Sequence, residues 1–179
     1  MSDHSKLNSE HFDKRAASWD LPLKVALAKK CSDAMLQAEG VQWDPASTVV
    51  VDFACGTGTL VSYAMVDTAG LISRGLEPYA RNVVGVDISA GMVDAYNQKA
   101  KKNGIEEKMK AVCVDILAPG AEIREEMRNV DVVVCSMSYH HIEDIVNTTK
   151  VLASLLKKGG HLLVVDLLEG CLSIPCNLH

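Results

Sequence analysis

The sequence has no excess of basic residues, no closely paired cysteines and no long apolar run, and each absence excludes a class of protein. Lys and Arg number 18 against 23 Asp and Glu, so the net charge is -5 and no basic field attracts nucleic acid or an anionic membrane. No run approaches the roughly 18 apolar residues that a membrane-spanning helix needs. We expect neither a nucleic-acid partner nor a membrane location.

The cysteines favour a reducing compartment. There are six, none in a C-x-x-C pair, and Cys55, Cys113 and Cys135 lie inside or beside apolar runs, as buried reduced thiols do. The polar amino terminus lacks the apolar segment of a secretory signal. We therefore expect a cytoplasmic protein. The last two cysteines and His179 are too few for a complete zinc site, and no metal is expected.

Five short apolar runs, rich in β-branched residues, predict buried strands. They are VVVDF at 49–53, VVGVDI at 83–88, AVCVDI at 111–116, VDVVVC at 130–135 and HLLVVDL at 161–167. None alternates apolar with polar residues, so each strand should be covered on both faces, as in a parallel sheet flanked by crossover helices.

Apolar residues at helical spacing lie ahead of the strands and between them. The predicted helices cover residues 21–38, 91–102 and 142–156. Gly40 should stop the first, and residues 157–160 should close the third as a turn. The face that the third helix should bury comprises Ile145, Thr149, Leu152 and Leu156. Because strands and helices alternate, we predict an α/β fold, a doubly wound, Rossmann-like sheet of mostly parallel strands.

The first strand ends in the loop ACGTG at 54–58, which is the candidate ligand site. Ligands bind beyond the carboxyl ends of parallel strands, and the two glycines let the backbone approach a ligand closely. Asp52 precedes the loop and can orient it. A phosphate-binding P-loop would need a lysine after Gly58, where Thr59 stands, and a dinucleotide fingerprint would need glycine in place of Val61. A turn without a ligand is the remaining alternative.

Two further aspartates end neighbouring strands. The Asp87 carboxylate could accept hydrogen bonds from both hydroxyls of a ribose, or it could cap the helix that begins near Ser89. Asp115 could accept from the exocyclic amine of an adenine placed between Ile88 and Ile116, or it could be a simple turn residue. The three acids together indicate a nucleoside site.

These stretches resemble the class I S-adenosylmethionine-dependent methyltransferases, in particular the domain called methyltransferase type 11 or 12. The motifs are VVVDFACGTG, VVGVDISAGMVDAYN, VCVDIL, VDVVVCSMSYHHIED and KKGGHLLVVDL, in the family's order, within about residues 45–167. Ala54 stands where a glycine is more usual. The arm EHFDKRAASWD is similar to a segment that folds over the cofactor in many members.

The resemblance implies methyl transfer from S-adenosyl-L-methionine to a small molecule or an exposed protein group. The cofactor-binding positions it implies are Asp52, Ala54, Cys55, Gly56, Thr57, Gly58, Asp87, Ile88, Met92, Asp115, Ile116 and Ser136. His140 and His141 follow the fourth strand, where a neutral imidazole could take a proton from the acceptor, although one of them could instead only pack. The paired prolines of DNA amino-methyltransferases are absent, so a nucleobase acceptor is not expected.

Two departures from the family limit this interpretation. Asp87 follows Gly58 by 29 residues, whereas about 20 are usual, so residues 59–69 are expected to be an insertion. The sheet is also expected to lack the C-terminal hairpin of strands six and seven. The predicted divisions are an arm and helix at 1–44, a methyltransferase domain at 45–167 and a tail at 168–179. A binding module impaired by these changes, or a NAD-dependent oxidoreductase, are the alternatives.

Overall fold

Helices and strands alternate along the computed structural model, which describes residues 3–16, 22–57 and 72–166. The helices are α1 (Asp3–Arg15), α2 (Pro22–Leu36), α3 (Ile72–Leu76), α4 (Ala90–Lys102) and α5 (Ile145–Ser154). The strands are β1 (Val49–Phe53), β2 (Asn82–Asp87), β3 (Met109–Cys113), β4 (Val130–Ser136) and β5 (Leu156–Val165).

The described strands form one sheet in the order β3-β2-β1-β4-β5, and every pairing is parallel. This confirms the predicted Rossmann-like α/β fold. Along the chain, β2 and β3 are added on one side of β1, and β4 and β5 are then added on its other side. The strand order therefore reverses between β1 and β4. In open α/β sheets ligands bind at the carboxyl ends of the strands beside that point.

The strands β1, β2 and β4 are buried on both faces, which explains why they lack polar alternation. The edge strand β5, for which the sequence also predicts burial, has no buried residue, and Val164 is 41% exposed. On one face Val50, Val83 and Val132 pack with residues of α2, α3 and α4. On the other face Val51 and Val133 belong to a second cluster with residues of α5. Successive side chains point to opposite faces of a strand, so apolar residues are needed at every position.

The α5–β5 connection differs from the prediction. The helix ends at Ser154, and residues 157–160, expected to form its closing turn, belong to β5. Leu156 pairs with Val130, and the register then shifts before the next pair, with Gly159 at a φ of 80°. The Lys157 ammonium binds the Asp131 carboxylate on β4. The turn-favouring residues 157–160 therefore lie within β5 as an irregularity between the paired residues Leu156 and His161, and the ion pair ties them to β4.

The buried face of α5 also differs from the predicted one. Thr148 and Leu152 are 1% and 0% exposed, whereas Ile145 is 48% exposed and Thr149 is exposed as well. Leu155, just past the helix, is buried. The helix therefore packs on a face rotated by about one residue, because the sheet beneath it and not the local apolar pattern sets its orientation.

Several predictions fall outside the described residues. These are Gly58, the expected insertion at 59–69, the tail at 168–179 and the hairpin beyond β5. Across the three described segments, every helix is too short or too polar to cross a bilayer.

Candidate active site

The loop after β1 adopts positive φ angles and is tied to the end of β2. Ala54 and Gly56 have φ values of 57° and 59°, a conformation that costs an L-residue roughly 1–2 kcal/mol. The Cys55 amide donates to the Val86 carbonyl at 3.1 Å, and the Gly56 amide donates to the Asp87 carboxylate at 2.8 Å. A Cβ added to Gly56 would meet no atom of the described residues within 4 Å. As far as the described residues go, space is therefore open beside this backbone.

The Asp87 carboxylate joins the loop to the start of α4. It is 8% exposed, and its Oδ1 accepts from the Ser89 amide at 2.9 Å while Oδ2 accepts from Gly56. Burial raises the pKa of Asp87, and the hydrogen bonds from these amides offset part of that increase. The cap of α4 is Ser89, whose hydroxyl accepts from the Met92 amide at 3.1 Å. Asp87 is thus not the helix cap, and since a carboxylate has about four acceptor positions, the amides of Ser89, Gly56 and Ile88 do not use all of them.

Asp52 lies beneath the loop and contacts α3. It is 3% exposed, and the Ser73 hydroxyl donates to its Oδ2 at 2.6 Å. Burial raises the pKa of Asp52 to about 7; the Ser73 hydrogen bond opposes this shift and the charge of Asp87 adds to it. Two buried carboxyl groups therefore give this end of the sheet a negative character when ionised.

The remaining predicted positions surround the same edge with different exposures. Asp115 lies two residues beyond β3, is half-buried, and accepts from the Leu117 amide at 3.1 Å. Ile116 is 3% exposed and packs in the core cluster that includes Val112. Buried positions also include Met92 and Thr57, and half-buried ones include Ile88 and Ser136. Ile116 could therefore contact an adenine ring only if part of its side chain moved out of this core cluster.

The two histidines after β4 have different surroundings. Both belong to the short 3₁₀ turn Tyr139–His141. His140 Nδ1 lies 2.6 Å from Asp166 Oδ1, just beyond β5. The His141 ring packs edge-on against Phe12 of α1, with centroids 5.7 Å apart. One histidine therefore pairs with an acid, and the other packs against the amino-terminal helix.

The helix α1 spans the carboxyl edge of the sheet. Asp13 Oδ1 accepts from the Ser89 hydroxyl at 2.5 Å and from the Gly91 amide at 3.0 Å. At the other side, the Asn8 side chain donates to the His141 carbonyl at 3.4 Å. Since β1 lies between β2 and β4, α1 crosses the region in front of the glycine loop.

A cleft of about 440 Å³ opens between α1 and the segment after β4. Its lining residues are Asn8, His140, His141, Ile142 and Glu143. Because β4 is the neighbour of β1, the cleft lies on the side of the edge next to the loop. In the described segments, no group of three His, Cys, Asp or Glu residues is placed to hold a metal ion.

Three residues of this edge were given no role by the sequence: Asp13, Ser73 and Asp166. Asp166 had a usable signal, because it follows an apolar run in the sequence just as Asp87 does. Asp13 lies in the arm that resembled a cofactor-covering segment, but its partners are 76 and 78 residues away. Ser73 lies beyond the atypical stretch and carried no signal.

Comparison with known proteins gives consistent matches. Residues 50–160 match a family model for a methyltransferase domain. The chain is 33% identical, over its whole length and 70% of the other protein, to an uncharacterized methyltransferase of Schizosaccharomyces pombe. It is 24% identical to a ubiquinone biosynthesis O-methyltransferase of Xanthomonas axonopodis pv. citri, over 92% of this chain and 64% of that protein.

A solved structure shares the fold. It is a geranyl diphosphate C-methyltransferase of Streptomyces coelicolor in complex with Mg²⁺, geranyl diphosphate and S-adenosyl-L-homocysteine. The TM-score is 0.58 at 19% identity, over 79% of this chain and 45% of that chain. The chain thus spans less than two thirds of this protein and of the Xanthomonas relative.

The strand order, the glycine loop and the acid at the end of β2 define a Rossmann-like nucleoside-binding domain. The family match then identifies one family within this class of domain. The chain belongs to the class I S-adenosylmethionine-dependent methyltransferases, as the sequence resemblance indicated, and the cofactor of that family is S-adenosyl-L-methionine.

Proposed function

We propose that this protein transfers the methyl group of S-adenosyl-L-methionine to a hydroxyl of a small molecule that enters the cleft beside His140. The observation that carries the proposal is the junction at the end of β2, where one buried carboxylate binds both the Gly56 and the Ser89 amides. No described residue fills the space beside Gly56 at that junction, and the junction lies on the same edge as the cleft.

The residues at this edge fit the cofactor. Asp87 would accept from the two ribose hydroxyls with its remaining acceptor positions, and the loop at 54–57 would approach the ligand with its backbone. Asp115 would accept from the adenine amine. When they are ionised, the buried acids Asp52 and Asp87 attract a positively charged ligand. When bound, the cofactor supplies an electrophilic methyl carbon on a sulfonium, and the protein contributes orientation and exclusion of water.

A hydroxyl acceptor is supported by the cleft and by one relative. The Xanthomonas protein is an O-methyltransferase by name, and the cleft here presents an imidazole that can accept a proton. A cleft of about 440 Å³ also suits a small molecule better than a folded protein surface. An exposed group on a protein remains the alternative acceptor.

We also propose a cytoplasmic location. Among the described residues Cys31, Cys55, Cys113 and Cys135 are free thiols, and burial raises the pKa of Cys55 well above its usual value. Reduced, unreactive thiols are typical of a reducing compartment.

Calorimetric titration with S-adenosylmethionine, S-adenosylhomocysteine and NAD tests the cofactor site. Asp87→Ala should weaken binding of the sulfur nucleosides by about 30-fold or more, because roughly 2 kcal/mol is lost when buried partners are left unpaired. The control is Asp33→Ala, which removes an exposed carboxylate that pairs with Lys29 on α2 and should leave affinity unchanged. Binding of NAD alone, or full affinity in a folded Asp87→Ala protein, would refute the proposal.

Turnover is tested separately with radiolabelled cofactor and a panel of hydroxylated small molecules. Transfer of label to a hydroxyl supports the enzyme. Tight cofactor binding without transfer to any hydroxyl, amine or protein acceptor would support a binding module instead.

A further inference from the structure

His140 and Asp166 form a pair where β4 and β5 end. His140 Nδ1 lies 2.6 Å from Asp166 Oδ1, and the backbone amide of His140 donates to Asp166 Oδ2 at 3.3 Å. Both carboxylate oxygens thus contact the same residue. This double contact fixes the direction of the imidazole ring relative to the carboxylate.

The backbone around the pair is anchored on both strands. Asp166 directly follows Val165, which is in register with Ser136 of β4. The Met137 amide then donates to the Val165 carbonyl at 2.8 Å, and His141 closes the short turn by donating to the Ser138 carbonyl at 3.0 Å. The separation of the imidazole and the carboxylate is therefore set by the sheet.

This contact determines which ring nitrogen is available. A carboxylate only accepts hydrogen bonds, so Nδ1 carries the proton and Nε2 is the unprotonated nitrogen. Nε2 lies on the far side of the ring from Asp166. The His140 side chain is 35% exposed and lines the cleft, so its basic nitrogen can be reached by an acceptor.

His141 is used differently. Its ring packs edge-on against Phe12, and its carbonyl accepts from Asn8. Both contacts hold α1 against the end of β4. The geometry therefore separates two neighbouring histidines that the sequence could not distinguish.

We propose that Asp166 is the positioning residue for His140 as a general base, and that the acceptor carries a hydroxyl that must lose its proton during transfer. This rests on the proposed function. The hydroxyl proton passes to His140 Nε2, the oxygen electron pair forms the bond to the methyl carbon, and the methyl–sulfur bond breaks with its electrons remaining on sulfur. The resulting imidazolium is stabilised by Asp166 and returns its proton to solvent.

Long-range ¹H–¹⁵N NMR of the His140 ring tests the pairing in the protein without cofactor or acceptor. In the wild-type protein Nδ1 should carry the proton and Nε2 should be bare. Asp166→Asn can donate its amide to Nδ1, and should therefore move the proton to Nε2, as an Asp→Asn change does in the serine-protease triad. The control Asp33→Asn should leave the tautomer unchanged. A wild-type spectrum with the proton on Nε2, or no change in a folded Asp166→Asn protein, would overturn the inference.

Two phenols of different acidity separate a base from a structural role. With phenol, Asp166→Asn should lower turnover by about 100-fold or more. With 4-nitrophenol, which is largely ionised in mildly alkaline buffer, the loss should be less than tenfold, because no proton has to be removed. Calorimetric affinity for S-adenosylmethionine should be unchanged. Equal losses with both phenols would overturn the base role.

Failure of the proposed function would give a different result in these assays from failure of the base role alone. If the wild-type protein binds S-adenosylmethionine but methylates no member of the panel of hydroxylated small molecules, these two phenols included, the hydroxyl acceptor is wrong and the base role falls with it. The tautomer measurement still decides whether Asp166 positions His140.

Discussion

Asn in place of Asp52 should change how the stability of the protein depends on pH. Asp52 is almost fully buried, and its pKa rises from 3.8 to about 7. In that interval the unfolded chain has released the proton while the folded protein still holds it. Stability should therefore fall as the pH rises from 3.8 to about 7, by roughly 4 kcal/mol in total.

Asp52→Asn removes this dependence without removing the local hydrogen bond. The amide oxygen can still accept from the Ser73 hydroxyl, which lies 2.6 Å from the carboxylate, and the amide does not ionise. The variant should match the wild-type protein in acid and exceed its free energy of unfolding at neutral pH. Asp87, whose pKa burial also raises, should leave a residual slope of the same sign in both proteins.

Urea titrations from about pH 4 to about pH 8 measure the effect, since the free energy of unfolding falls linearly with denaturant. Asp131→Asn is a control whose difference from the wild-type protein should stay nearly constant across this range, because the pKa of Asp131 is lowered from 3.8 and so lies below it. Burial alone would raise the pKa of Asp131, but hydrogen bonds from Lys157 and from the Val49 amide lower it on balance. That carboxylate stabilises the fold above its unfolded pKa, and the benefit is lost as the pH falls through its lowered pKa. A difference between wild-type and Asp52→Asn that stays constant across the range would refute the reasoning.

Three further substitutions test the loop, the sheet and the amino-terminal helix. Ala54→Gly should raise the free energy of unfolding by up to about 1 kcal/mol, because relief at a φ of 57° exceeds the entropy that glycine adds to the unfolded chain; a lower urea midpoint would contradict this. Gly85→Ala should destabilise the protein by about 1–3 kcal/mol, since its Cβ would lie 2.7 Å from Cys55 Sγ, and an unchanged midpoint would argue against close packing there. Asp13→Ala should speed amide exchange throughout α1, because the bonds to Ser89 and Gly91 are lost; exchange at the wild-type rate would show that other contacts hold the helix.

Sequence reasoning predicted the parts of this fold that depend on local patterns. The continuous apolar runs predicted all five described strands, and helical spacing predicted the buried face of α4, which comprises Met92, Val93, Tyr96 and Ala100. On α2 the same reasoning was only partly right, because Cys31 and Met35 are buried but Leu27 is 39% exposed and Ala28 is buried in its place. The glycine loop and Asp87 were placed correctly at one edge, since a parallel sheet brings its carboxyl ends together.

The rest depends on partners distant in the sequence. Residues 157–160 lie within β5 and are tied to Asp131 on a neighbouring strand, so a turn-forming composition gave the wrong structure. Asp166 and His140 are 26 residues apart, and only the register of β4 with β5 brings them into contact. The roles predicted for the cofactor-binding residues and for both histidines stay predictions.

The helix α1 has a consequence for the kinetics of ligand exchange. It contacts the segment after β2, the proposed cofactor side, through Asp13 and the segment after β4, the proposed acceptor side, through Asn8 and Phe12. The free energy that docks α1 is therefore shared by both sides, and a ligand that stabilises the docked helix at one side tightens the other by the same amount. On the proposed function, S-adenosylmethionine and the acceptor would therefore each bind more tightly once the other is bound, and departure of either would weaken the retention of the other.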